Sequence, residues 1–206
     1  MGRALTLAWR GWGRVAPNPL VGAVVLQGAT VVGEGWHAEF GGPHAETIAL
    51  KQAGAAATGA TVFVTLEPCS HQGKQPPCTE ALIRSGVRRV VAAIADPNPA
   101  AQGGADRLRA AGITVEIGLR EDEARAQNAF FLHRWQGMNR PFVALKLATT
   151  LDGRIADEGG RSRWISGDDA RDYVHWLRAG FDAIGVGGTT ARIDDASLTV
   201  RGALEP

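Results

Sequence analysis

Pro43-His44-Ala45-Glu46 and Glu67-Pro68-Cys69, the second closed by Pro77-Cys78, bring one imidazole, two thiols and two carboxyls into two short motifs. His44, Cys69 and Cys78 are candidate zinc ligands, because thiolate and imidazole suit this borderline-soft cation. Three protein ligands leave one coordination position open for water, the catalytic arrangement rather than the closed structural one. Zinc lowers the pKa of water to about 7, which supplies a nucleophile at neutral pH. Glu46 lies two residues beyond His44. There it can take a proton from water and pass it to a ring nitrogen and then to a leaving amine. The chemistry this predicts is hydrolytic exchange of an amine for a carbonyl oxygen, with Zn2+ as cofactor and Glu46 as the catalytic residue.

Each motif is weak alone. A lone His-x-Glu or Pro-Cys arises by chance, and two cysteines can be buried structural thiols. Their order and their placement at helix starts favour a catalytic site. His71 lies between the cysteines and offers a second nitrogen, but His44 already supplies one beside the carboxyl. The general H-x-E … P-C-x-x-C signature of zinc deaminases has two residues between its cysteines. Here Ser70 to Pro77 intervene, with Lys74 and two prolines among them. A stiff loop holding a cation beside the metal suits a phosphorylated substrate, since Lys acts as a point charge on phosphate. A solvated surface loop is the plainer alternative.

The elements that position these residues are legible as alternation. Leu5 to Trp12 predicts a short amphipathic helix. Val21 to Leu26 and Thr30 to Gly33 predict two strands around a Gln27-Gly28-Ala29 turn. A helix is expected over His44 to Ala57, with Pro43 suited to its start. Strands follow at Ala60 to Leu66, Arg89 to Ala95 and Ile113 to Ile117, and helices at Thr79 to Ser85, Gly104 to Ala111 and Glu121 to Trp135. Cys69 is expected at the start of the helix after its strand, where the thiolate is favoured. Met138-Asn139-Arg140-Pro141 breaks the pattern and marks a boundary between residues 1–140 and 141–206. Beyond it a strand is expected over Phe142 to Ala148, a helix over Asp168 to Arg178, and a strand over Phe181 to Val186. The fold class is α/β: a mixed sheet with helices on both faces.

The 206 residues are 45% hydrophobic and 21% charged, with net charge +1. That composition supports a globular core. It gives no electrostatic case for nucleic acid or an anionic membrane as partner. No apolar run is long enough to span a bilayer, and the first residues lack the pattern of a secretory leader. The expectation is a cytoplasmic protein, in which a close cysteine pair serves metal or catalysis rather than a disulfide.

Thr65-Leu66-Glu67-Pro68-Cys69-Ser70-His71 … Pro76-Pro77-Cys78 resembles the deaminase domain of the bifunctional riboflavin-biosynthesis deaminase–reductases. So do Ala16 to Gly22, Gly33 to His37 and Asp96-Pro97-Asn98-Pro99. The resemblance implies a three-layer cytidine-deaminase-like sandwich with a mixed five-stranded sheet. It implies deamination of 2,5-diamino-6-ribosylamino-4(3H)-pyrimidinone 5′-phosphate to 5-amino-6-ribosylaminouracil 5′-phosphate and ammonia. By position, His44, Cys69 and Cys78 would hold zinc and Glu46 would move protons. Asn18 and His37 would face the pyrimidine; Lys74, Asp96 and Asn98 would hold the ring or the ribosyl phosphate. Each of these also has a plain reading: Asn18 as a turn residue between prolines, His37 as a satisfied core histidine, Asp96 to Pro99 as a strand-end turn. The resemblance implies a homo-oligomer. Alternatives are a zinc deaminase of another base or nucleoside, or a non-catalytic zinc-stabilised paralogue.

Lys146-Leu147-Ala148, Ser162 to Gly167, Gly187 to Thr190 and Leu198 to Arg201 resemble, in order, the first half of that family's reductase domain, a dihydrofolate-reductase-like α/β fold using NADPH. By position, Ala148, Trp164, Thr190 and Asp194 would touch NADPH. Ser162, Arg178, Leu198 and Arg201 would touch the sugar-phosphate, for which an arginine pair is apt. The later strands and the glycine-rich phosphate loop are not found. The expectation is that NADPH and reductase activity apply only if that domain is completed.

Overall fold

A computed structural model describes residues 1–137 and 139–202. They divide into two compact units, Met1–Asn139 and Arg140–Pro206. Met138, part of the expected boundary, lies outside the described residues.

The first unit runs α1 (Gly2–Ala8), β1 (Gly22–Gln27), β2 (Thr30–Trp36), α2 (Ala45–Ala53), β3 (Thr61–Leu66), α3 (Cys78–Arg84), β4 (Arg89–Ile94), α4 (Gly104–Ala110), β5 (Thr114–Ile117), α5 (Glu121–Gln127) and α6 (Ala129–Arg134). The five strands form one sheet in the order β2-β1-β3-β4-β5. β1 pairs antiparallel with β2 and β3, whereas β3, β4 and β5 run parallel. The mixed sheet is the one the alternation predicts.

Strand periodicity decides the faces. On β1, Val24 packs with Ala4 and Leu7 of α1, while Ala23 and Val25 join the large cluster with Ala45 and Ala49 of α2. The parallel strands contribute Val62, Val64, Val90 and Ala92, all without solvent exposure. Burying each valine stabilises by about 1.5–3 kcal/mol. The parallel half is thus the firm floor on which the loops at the strand ends are mounted.

The expected helix over Glu121 to Trp135 is broken. Asn128, at φ −106° and ψ 22°, separates α5 from α6. Its buried amide accepts from Leu20 N at 2.8 Å and donates to Leu20 O at 3.0 Å. A buried backbone donor and acceptor on an irregular segment need partners, and Asn128 supplies both at the cost of helical continuity.

In the second unit the regular elements among the described residues are α7 (Asp168–Arg178) and α8 (Gly188–Asp194). The strands expected at Phe142 to Ala148 and Phe181 to Val186 do not form there. The apolar alternation that suggests a strand is present, but Val143, Leu145 and Leu147 are 79%, 82% and 59% exposed. A strand needs a neighbour to complete its backbone ladder, and these segments have none among the described residues. Among those residues, no helix is long and apolar enough to cross a membrane.

Candidate active site

β3 and β4 pair in register to their last residues, Leu66 opposite Ile94. The loops leaving these carboxyl ends, with the start of α2, enclose a cavity of about 260 Å³. A crevice at strand carboxyl ends is the usual ligand position of such sheets.

Pro43 and His44 precede α2, with His44 extended at φ −74°, ψ 157° as its N-cap. Glu46 therefore falls in the first helical turn and is only 3% exposed. Cys78 opens α3 behind Pro77. Cys69 is not at a helix start, contrary to expectation: it sits in the loop after β3, and its sulfur accepts from Cys78 N at 3.4 Å. His44 Nδ1 lies 3.1 Å from Cys78 Sγ and 3.6 Å from Cys69 Sγ. All three ligand atoms fall within 4.8 Å of one another. His71 is outside this cluster; it lines the cavity wall, with its Nδ1 buried and unpartnered.

The electrostatics fit a cation. The Cys69 thiol is pushed down to about 4, first by its hydrogen bond with Cys78 and also by His44. Cys78 is pushed up by the same contact and by burial. The two sulfurs thus share one proton, which a metal ion would displace. Burial pushes the Glu46 carboxyl up, the direction a proton carrier near neutral pH requires. Two soft sulfurs and one nitrogen converging beside a buried acid fit zinc with an open position.

Asn18 and His37 come together at the cavity. His37 Nδ1 lies 3.1 Å from Pro43 O, a pure acceptor, so this nitrogen must carry the hydrogen. Burial lowers the His37 pKa, which leaves the ring neutral and Nε2 an acceptor. Asn18 Nδ2 then donates to Nε2 at 3.0 Å. Both ring nitrogens are engaged, so His37 orients Asn18, whose carbonyl oxygen remains available as an acceptor.

Asp96 and Asn98 line the same cavity. Asp96 Oδ1 accepts from Asn98 N at 2.9 Å and Asn98 Oδ1 from Ala100 N at 3.0 Å. These turns leave Asp96 Oδ2 and the Asn98 amide nitrogen unspent. Burial, foremost, raises the Asp96 carboxyl to about 6. Lys74 lies at the rim, its Nζ 3.9 Å from the Phe40 ring centroid, and Gln75 Nε2 donates to Gly41 O at 2.9 Å. Nothing in the sequence singles out Phe40 or Gln75.

One buried acid lies in the motifs without a role in their reading. Glu67, 7% exposed, sits between strand and metal loop. A carboxylate directly after a buried strand and ahead of Pro-Cys was the available signal.

Of the residues assigned to the reductase part, Arg178 closes α7 and donates to Ser197 O and Thr199 O, beside Leu198. Arg201 N donates to His175 Nδ1 at 3.2 Å. Asp194, the last residue of α8, faces Arg163 at 3.6 Å, and the neighbouring Trp164 ring lies under Arg171 at 4.4 Å. Ser162 and Thr190 are exposed, and half-buried Ala148 lies in a segment without regular structure.

Residues 1–94 match the cytidine and deoxycytidylate deaminase zinc-binding region, and residues 141–206 match the RibD C-terminal domain. The riboflavin biosynthesis protein RibD of Escherichia coli is 50% identical over 98% of this chain and 55% of its own length. That of Synechocystis is 48% identical over the same share of each. A Thermotoga maritima diaminohydroxyphosphoribosylaminopyrimidine deaminase/5-amino-6-(5-phosphoribosylamino)uracil reductase superposes with a TM-score of 0.86 at 47% identity, covering 98% of this chain and 58% of that one. The chain spans about half the length of the curated relatives it matches.

Proposed function

Because the chain belongs to the riboflavin-biosynthesis deaminase–reductase family, we propose that its first unit deaminates 2,5-diamino-6-ribosylamino-4(3H)-pyrimidinone 5′-phosphate at the 2-amino group. The products are 5-amino-6-ribosylaminouracil 5′-phosphate and ammonia. The observation that carries this reading is the convergence of His44, Cys69 and Cys78 beside a cavity that His44, Cys69 and buried Glu46 line.

His44, Cys69 and Cys78 would hold zinc. A bound zinc ion supplies Lewis acidity that makes water nucleophilic at neutral pH. Glu46 takes the proton that water loses as its oxygen adds to the ring carbon, and delivers it to the adjacent ring nitrogen. It then takes the second proton from that oxygen and gives it to the amine as the carbon–nitrogen bond breaks, so ammonia leaves and the carbonyl forms. Asn18, held by His37, accepts from a ring N–H or amine. Asp96 and Asn98 grip the ring side of the substrate, and Lys74 at the rim meets the phosphate as a point charge.

Residues 141–206 read as the N-terminal part of an NADPH-using reductase domain, with Ala148, Trp164, Thr190 and Asp194 toward the cofactor and Ser162, Arg178, Leu198 and Arg201 toward the sugar-phosphate. The setting is cytoplasmic, and the partner is a phosphorylated small molecule rather than nucleic acid or membrane; the family resemblance favours a homo-oligomer.

Ammonia release by the purified, zinc-analysed chain tests the reading, with cytidine and guanine as comparators. Turnover of the diaminopyrimidinone phosphate alone supports it. Preference for cytidine would move the site to another deaminase class, and no turnover despite one zinc per chain would favour a non-catalytic paralogue.

A further inference from the structure

We propose that Glu67 is a positioning residue that locks the substrate-gripping loop, residues 96–103, onto the metal-binding loop, so that ring recognition and metal share one frame. The inference rests on the deaminase reading for its functional consequence, and on the geometry for the lock itself. Backbone pairing between β3 and β4 ends with Leu66 and Ile94. One further backbone bond follows, Glu67 N to Ile94 O at 2.9 Å. Past that point the strand pairing has ended, and the Glu67 carboxylate takes over. Its Oε2 accepts from Asp96 N at 3.3 Å and its Oε1 from Ala105 N at 2.8 Å. One buried side chain thereby holds both ends of the intervening loop, two residues ahead of Cys69.

The contacts around it point the same way. The Ser70 N–H donates to Ala101 O at 3.4 Å, and its hydroxyl donates to Gln102 O at 2.7 Å. At Gly104 a side chain would place its first carbon 1.8 Å from Pro68 O, so the backbone of the metal loop rests directly on the start of α4. Between the clamped ends, Asp96 and Asn98 shape the loop with their own turns. A burial this complete, on an acid that neither ligates nor transfers protons in the proposed reaction, is accounted for by the two amide hydrogens it accepts. An unpartnered buried amide is costly.

Glu67→Gln is the discriminating variant. Its amide group retains one acceptor oxygen but turns a donor toward the other N–H, so one end of the clamp opens. The expected result is one zinc per chain as in the parent, loss of hydrogen-exchange protection at the Asp96 or Ala105 amide, and a rise of about tenfold in KM with kcat changed less than about threefold. Glu67→Asp, which keeps both oxygens on a shorter arm, should recover part of the KM. Protection and KM both unchanged in Glu67→Gln would overturn the proposal. Loss of zinc with the amides still protected would overturn it too, by assigning Glu67 to the metal loop alone. A parent chain without turnover would sink the deaminase reading instead, and the amide protection and zinc content would still decide the lock.

Discussion

Glu46 and Asp96 are both buried carboxyls with raised proton affinity, yet they differ in what that affinity is for. Glu46 sits in the first turn of α2 beside the ligand His44, and burial is the first cause of its shift. Replacing it by Gln keeps the volume and removes the proton carrier. Glu46→Gln should bind zinc at the parent level and lose about 10²–10⁴-fold in turnover, the usual contribution of general acid–base catalysis. Full activity in that variant, measured as ammonia release, would remove Glu46 from the mechanism. Asp96 rises from 3.8 to about 6, also chiefly by burial. A carboxyl with a raised native pKa binds its proton more tightly when folded, so its contribution is favourable at low pH and is lost as pH climbs from about 4 through about 6. The loss is on the order of 3 kcal/mol. Asp96→Asn keeps the acceptor for Asn98 N and removes the charge. In the metal-free chain, Asp96→Asn should therefore melt higher than the parent at pH 7.5 and at the same temperature at pH 4, while losing substrate affinity. Equal melting temperatures at pH 7.5 would mean that the ionised Asp96 is not penalised by its surroundings.

The elements explain why the site residues stay where they are, and how much of that was legible in advance. α2 approaches β2 closely: a side chain at Gly35 would begin 2.3 Å from Ala45 O and 2.7 Å from Ala49 N. These are backbone atoms of the helix whose start carries His44 and Glu46. Gly35→Ala must push that start outward. Overpacking of this kind costs about 1–3 kcal/mol, and the displacement should weaken zinc binding as well. Calorimetric melting and a chelator competition check the two effects; an unchanged zinc affinity would show that α2 tilts without moving His44. The sequence made the strands of the first unit, the hairpin and the metal triad visible, because apolar alternation, turn glycines and ligand types are local signals. It did not reveal that Asn128 would split the last helix of the unit, since the reason is Leu20, 108 positions away. The same holds for Glu67, whose partners lie on the next strand's loop and helix, and for the pairing that makes His37 a support for Asn18. Motifs state which groups do chemistry. Which groups hold them is a property of long-range contacts.

At the scale of the whole molecule, the first unit has a closed core, whereas the second leaves many of its apolar residues exposed. All the residues around the cavity belong to Met1–Asn139. The ties that shape the site, from Asn128 to Leu20, from Glu67 to Ala105 and from His37 to Pro43, also lie within it. In the second unit Leu151, Ile155, Trp164 and Ile193 are exposed, along with Phe142, Val143, Leu145 and Leu147. That run read as a strand because its pattern is that of a strand, and only a ladder partner could have made it one. Exposed apolar side chains favour association. Ending the chain after Asn139 should therefore separate two properties. The shortened protein should keep one zinc per chain and turn over substrate within about threefold of the parent, since such a factor is under 1 kcal/mol of barrier. It should also sediment as a smaller species than the parent at equal concentration, because the exposed run has gone. Zinc analysis, ammonia release and sedimentation velocity on the two proteins decide it. Loss of turnover with zinc retained would mean that residues beyond 139 take part in building the deaminase site. Unchanged self-association would place the contact between copies on the first unit.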